Sequence, residues 1–172
     1  MATVRSSKAY WGRCDHSPIL VLKGPFRYLT AWALRSSIDD LLAQEPCDTV
    51  IIDLRELESI DSTGMGFLAH LGRIALQHGR RAVIVCAVKD VMTYLQSAGF
   101  DTLFLIMEHW PFDEEAKVSE VNLDQGDLIP DIMGRIILDA HRELASLNEQ
   151  NRQTFGGVIS ALESDLERPG RT

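Results

Sequence analysis

The sequence predicts an open α/β sheet followed by a helical appendage, and three observations predict it. Short apolar, β-prone runs alternate with stretches of helical periodicity between Pro18 and Ile106. The intervals between the runs reach about a dozen residues or more, the length that a parallel crossover needs. A further apolar stripe of helical spacing returns after the elements of the sheet are complete.

Taken in order, Ile19-Leu20-Val21-Leu22 is a strand broken at Gly24-Pro25. From Thr30 the spacing of Leu34, Ile38, Leu41 and Leu42 is helical. Thr49-Val50-Ile51-Ile52-Asp53-Leu54 is apolar through its middle, as a strand covered on both faces should be. A helix follows over 62–78 and stops at Gly79. A third strand is predicted over 82–88, a short helix over 89–98 ending at Gly99, and a fourth strand over 103–106. Pro111-Phe112-Asp113-Glu114-Glu115 opens an acidic connection that reaches Gly126.

The tail then carries Ile129, Met133, Ile137, Ala140, Leu144 and Leu147 at spacings of three and four, with Pro130 and Asp131 suited to a first helical turn. A polar stretch, Asn148 to Gln153, interrupts the stripe, which resumes at Phe155, Val158, Ile159, Leu162 and Leu166. One straight helix over 130–167 would run roughly 57 Å. The pattern allows either such a rod or a helical pair folded at the polar stretch. Neither hides its apolar stripe alone.

Composition narrows the function. The chain has 172 residues and a net charge of −8, which argues against a binder of nucleic-acid backbone, because such proteins cluster Lys and Arg. No apolar run approaches the ~20 residues of a membrane-spanning helix, and residues 1–8 lack the apolar core of a secretory signal. Three scattered cysteines, Cys14, Cys47 and Cys86, form no framework and point to a reducing compartment. A cytoplasmic protein is expected. Cys14-Asp15-His16 has no second ligand cluster at zinc spacing, and neither a nucleophile elbow nor a phosphate-binding loop is present, so no metal, no cofactor and no catalytic residues are expected.

The stretch Ile51-Ile52-Asp53-Leu54 … Asp61-Ser62-Thr63-Gly64-Met65-Gly66 carries the most information. A buried strand runs into a turn, and the turn opens a helix with Asp-Ser-Thr-Gly at its mouth. Backbone N–H groups there have no intrahelical partner and carry partial positive charge. A serine caps such an end, and a phosphate on it would be favoured. At 100° per residue, Ser62, Gly66, Ala69, His70, Arg73 and Gln77 share one face, opposite Met65, Phe67, Leu68, Leu71, Ile74 and Ala75. The first face is expected to lie open to solvent as a docking surface, with Gly66 and Ala69 leaving room for another backbone.

The motif Asp61-Ser62-Thr63-Gly64-Met65-Gly66, in its strand–turn–helix setting, resembles the signature of STAS domains of the anti-sigma factor antagonist type. The resemblance implies a mixed sheet with helices packed on one side, here with a C-terminal helical extension. It divides the chain into an N-terminal arm over 1–17, a STAS domain over 18–110, an acidic connection over 111–126 and a helical extension over 127–168. It also implies that Ser62 is the phosphoacceptor, with Thr63 as the alternative. The implied partners are an anti-sigma factor or GHKL-type serine kinase, with a PP2C-type phosphatase to reset the switch. Partner contacts would come from Asp61, Ser62, Thr63, Gly64, Gly66, Ala69, His70 and Arg73, together with Gly24 and Phe26 in the turn after the first strand. That turn, Gly24-Pro25-Phe26-Arg27-Tyr28, lacks the acidic residue that often follows the glycine in the family.

Phosphorylation replaces a neutral hydroxyl by roughly −1.5 to −2 charges. Two charges about 6 Å from a partner carboxylate repel by roughly 1–5 kcal/mol, enough to dissolve a micromolar complex. The alternative is a non-switching STAS scaffold or subunit of a signalling or transport assembly. The tail could cover the sheet, but its persistent apolar stripe favours an interaction role, in self-association or with a second partner.

Overall fold

The computed structural model describes residues 6–43, 47–123 and 129–168, with the side chains of 36–41 and 43 outside that description. Ile38 and Leu41 of the first helical stripe therefore lie outside it, as do residues 1–5 of the arm and 124–128, where the connection gives way to the extension.

Six strands form one sheet. They are β1 (Lys8–Cys14), β2 (Ser17–Phe26), β3 (Thr49–Ile60), β4 (Arg81–Val85), β5 (Leu105–Met107) and β6 (Lys117–Glu120), in the spatial order β5-β4-β3-β2-β1-β6. The pairs β2–β3, β3–β4 and β4–β5 are parallel, whereas β1 is antiparallel to both β2 and β6. The parallel crossovers are made by α1 (Tyr28–Ala43), α2 (Ser62–Gln77) and α3 (Lys89–Ser97).

Alternation along the strands explains why they read as unbroken apolar runs. Leu20, Leu22, Val50, Ile52, Leu54, Ala82 and Ile84 face the helices and join Leu34, Leu68, Leu71, Val91 and Leu95 in the main core. Ile19, Val21, Ile51, Val83 and Val85 point the other way, where Trp110, Phe112 and Ala116 pack over them. Trp110 meets Phe112 edge-on, and the Arg55 guanidinium lies 4.4 Å from the Trp110 ring centre. Arg55 is also tied to the buried Asp53 at 2.8 Å, and that hydrogen bond raises its pKa further against the opposing effect of burial.

Several boundaries differ from expectation. Residues 8–14 of the expected arm form β1 and hairpin back onto β2 through Asp15, whose φ is 55°. Residues 117–120 of the expected connection form the edge strand β6, whose side chains are exposed and include Lys117 and Glu120. The first predicted strand does not end at Gly24-Pro25. It runs to Phe26, and shifts of register against β3 accommodate the Gly24-Pro25 pair. Gly24 has φ +73°, and an added β-carbon would lie 3.0 Å from the Ser6 carbonyl oxygen. The predicted third strand is shorter, ending at Val85, and the fourth begins at Leu105, because a 3-10 turn at Phe100–Thr102 turns Phe104 into the core.

The tail is a folded pair, α4 (Pro130–Ala145) and α5 (Glu149–Glu167). The fold falls where the polar stretch begins, since the side chain of Asn148 caps α5 by accepting the Asn151 N–H at 2.8 Å. Asn151 is itself buried and donates to the carbonyls of Ala98 and Leu144, at 2.9 and 3.0 Å. The bend of the pair is thereby pinned to the end of α3. Helix α4 lies on α2 as a third layer, while α5 packs on α4 and buries one residue of its own, Asn151.

Candidate functional site

β3 delivers the chain from the middle of the sheet to Asp61, and α2 starts there. Asp61 is the N-cap: its Oδ1 accepts the Gly64 N–H at 2.7 Å. Its Oδ2 accepts the Tyr28 N–H at 2.9 Å, so one carboxylate satisfies the first turns of both α1 and α2. The serine expected as cap is instead the first helical residue. Thr63, the alternative acceptor, is buried.

Gly64 is required by what lies beneath it. An added β-carbon would sit 2.8 Å from Cδ1 of Phe26, whose ring packs edge-on against Phe67. Phe26 is thus core, 1 % exposed. Gly24 is buried within β2 beside Ser6. Neither lies on an exposed turn as expected, because the strand continues through both.

Ser62, Gly66, Ala69, His70 and Arg73 do share one face of α2, yet that face is not open. Helix α4 covers it. The Ser62 hydroxyl lies 3.0 Å from Nε2 of His141. His141 is buried, and its Nδ1 donates to the Ile137 carbonyl at 2.7 Å. A carbonyl can only accept, so in the neutral ring Nε2 is the acceptor and Ser62 the donor. The His141 ring meets that of Phe155 of α5 in a T-shaped contact, centres 5.4 Å apart.

One turn along, a β-carbon on Gly66 would lie 2.2 Å from the Ala140 carbonyl oxygen, so the α4 backbone rests directly on the glycine. Further on, His70 Nδ1 donates to Glu143 Oε1 at 3.2 Å. Arg73 lies 2.5 Å from Glu143 Oε2 and donates to Ser146 Oγ. The contact with Oε2 is an ion pair, its alignment too poor for a hydrogen bond. Arg35 of α1 reaches Asp139 at 3.1 Å. Between α1, α2 and α4 a cavity of about 260 Å³ remains, lined in part by Thr63, Phe67, His70, Ile136 and Ala140.

Sequence reasoning missed His141, Glu143 and Asn151. Ala140 stood in the apolar stripe of the tail, and a small residue there opposite the small strip Gly66 and Ala69 was the available signal. Among the described residues no three His, Cys, Asp or Glu side chains converge as a metal site requires, and no helix is long and apolar enough to cross a membrane.

A mixed sheet whose third strand ends at an Asp-capped helix bearing Ser62 defines a class of domain, and the comparison with family models agrees. The STAS domain model matches residues 13–117, and the chain belongs to that family. Comparison with curated proteins finds no match. Among solved structures, an anti-sigma factor antagonist from Mycobacterium paratuberculosis is similar at 21% identity and TM-score 0.54, covering 60% of this chain and 87% of that one. The anti-sigma factor antagonist SpoIIAA in its unphosphorylated form aligns at 15% identity and TM-score 0.49, over 61% of this chain and 90% of its own. The likeness to the mycobacterial structure is one of fold.

Proposed function

We propose that the chain is a phosphorylation-controlled partner switch of the anti-sigma factor antagonist type. Unphosphorylated, it binds an anti-sigma factor or GHKL-type serine kinase through the α2 face around Asp61, Ser62, Thr63, Gly64, Gly66, Ala69, His70 and Arg73. A phosphate on Ser62 weakens that complex, and a PP2C-type phosphatase restores it. The chain performs no chemistry of its own.

The observation that carries this reading is the position of Ser62. It is the first residue of α2, half-buried behind the Asp61 cap, at the end of the helix where free N–H groups favour an anion. The mycobacterial anti-sigma factor antagonist of similar fold is in keeping with this reading.

A second reading, a non-switching STAS scaffold, draws on a different observation: α4 already fills the face that a partner would use. Intact-mass and tryptic mass spectrometry on the protein from its native cells separates the two. A phosphate on Ser62 that disappears in Ser62→Ala supports the switch. An unmodified Ser62 in every growth condition refutes the switch and leaves the scaffold.

A further inference from the structure

The structure assigns to α4 the role of a built-in occupant of the α2 docking face, one that an incoming partner helix must displace. The inference rests on the docking face proposed above and adds the element that regulates access to it.

Four contacts place α4 where a partner would sit. His141 takes the Ser62 hydroxyl, the backbone at Ala140 rests on Gly66, and Glu143 engages both His70 and Arg73. Ser62, Gly66, His70 and Arg73 thus each have a counterpart on about one turn of α4. A partner cannot use these groups while α4 holds them.

The seam is also built differently from the layers below it. The α2–α4 seam adds ion pairs and hydrogen bonds to the apolar contacts of Ile136, Ala140 and Leu144, and the 260 Å³ cavity opens beside it between α1, α2 and α4. The attachment is uneven along α4. Leu144 is fully buried in the main core, and Asn151 ties the bend to Ala98, but Ile132 near the other end is exposed. Helix α4 is therefore anchored most deeply at its C-terminal end, and its first turn is the least covered part.

The occupant describes its competitor. A partner helix that replaces α4 needs a small residue over Gly66 and a carboxylate three positions later for His70 and Arg73, the spacing of Ala140 and Glu143. Ser62 is coupled to the same seam. A phosphoryl group on it must take the space of His141 Nε2 or turn the side chain away, and either way the Ser62–His141 bond is lost.

Hydrogen exchange read by mass spectrometry on the full chain tests this without any partner. In the unmodified protein, the amides of 132–141 are expected to exchange at least about tenfold faster than those of β3, as a layer that opens on its own should. Glu143→Arg, which sets a cation against His70 and Arg73, is expected to speed 132–141 by about a further tenfold and leave β2, β3 and β4 unchanged. His141→Ala should act in the same direction. The inference is overturned if 132–141 are as protected as β3, or if both variants leave α4 unchanged or speed the whole chain together. Its failure is separable from that of the switch. Ser62 phosphate with a tightly protected α4 keeps the switch and removes this inference, and a loose α4 without Ser62 phosphate does the reverse.

Discussion

Replacing Gly66 by alanine tests the packing of α4 on α2 with a sign as well as a size. The added β-carbon would stand 2.2 Å from the Ala140 carbonyl oxygen and 2.5 Å from the Ala140 carbonyl carbon and Cα. All three atoms are backbone, so no side chain can rotate away. Overpacking of this kind costs typically about 1–3 kcal/mol, and these distances put Gly66 at the upper end. Alanine in place of glycine inside a helix returns about 1 kcal/mol, leaving a net loss of about 2 kcal/mol.

Gly156 is the control. It lies inside α5 with nothing within 4 Å of an added β-carbon, so Gly156→Ala should gain about 1 kcal/mol. The two variants should then differ by about 3 kcal/mol. For a chain of this size that separates their melting temperatures by about 6–12 °C, Gly66→Ala below the parent and Gly156→Ala above it. Thermal and urea melts read the difference directly. If Gly66→Ala raises the melting temperature as Gly156→Ala does, α4 does not rest on α2 and the account of the site collapses.

Asp61→Ala removes the acceptor of both the Gly64 and Tyr28 N–H groups, and should cost about 1–2 kcal/mol or slightly more in urea melts, with Asp61→Asn recovering part of the loss. Asn151→Ala takes a donor from the Ala98 carbonyl and leaves the Leu144 carbonyl to the Leu147 N–H, and should cost about 1–3 kcal/mol, with hydrogen exchange rising first around 144–151. The Cys86 thiol is pushed up from its ordinary 9.0 mainly by burial, with Asp53 adding and the backbone bond at Val88 opposing. Its contribution to stability is therefore intact below the unfolded value and lost as pH climbs through the folded one. Urea melts from about pH 8 to about pH 10 should show a shallower alkaline loss in Cys86→Ala than in the parent, and parallel curves would contradict the burial.

Where a local rule was strong, the sequence carried the answer. The apolar runs at 19–22, 49–54 and 82–85 became the strands β2, β3 and β4, because strands covered on both faces take apolar residues at successive positions, with Asp53 admitted only through its pairing with Arg55. Gly79 and Gly99 stopped their helices with φ of 71° and 81°, a conformation that glycine adopts without steric cost. The strands that escaped notice, β1 and β6, lie at or beside the sheet edge, where one side is wet and the apolar pattern is diluted. Phe26 was misplaced for a related reason. Gly24 and Pro25 usually mark a turn, yet here shifts of register carry the strand past them and bury the ring under Gly64.

The sequence by itself determined the central strands with their crossover helices, the motif at the mouth of α2, and the amphipathic tail with an apolar stripe in need of cover. It left open what supplies that cover, because periodicity shows that a face is apolar and cannot name the surface it meets. Only the tertiary structure decided it. The tail turns back at Asn148, and α4 seats Ala140 on Gly66 and sets His141 against Ser62, two matches between residues more than seventy positions apart. Such long-range complementarity depends on backbone approach and side-chain geometry in three dimensions, and no local pattern encodes it.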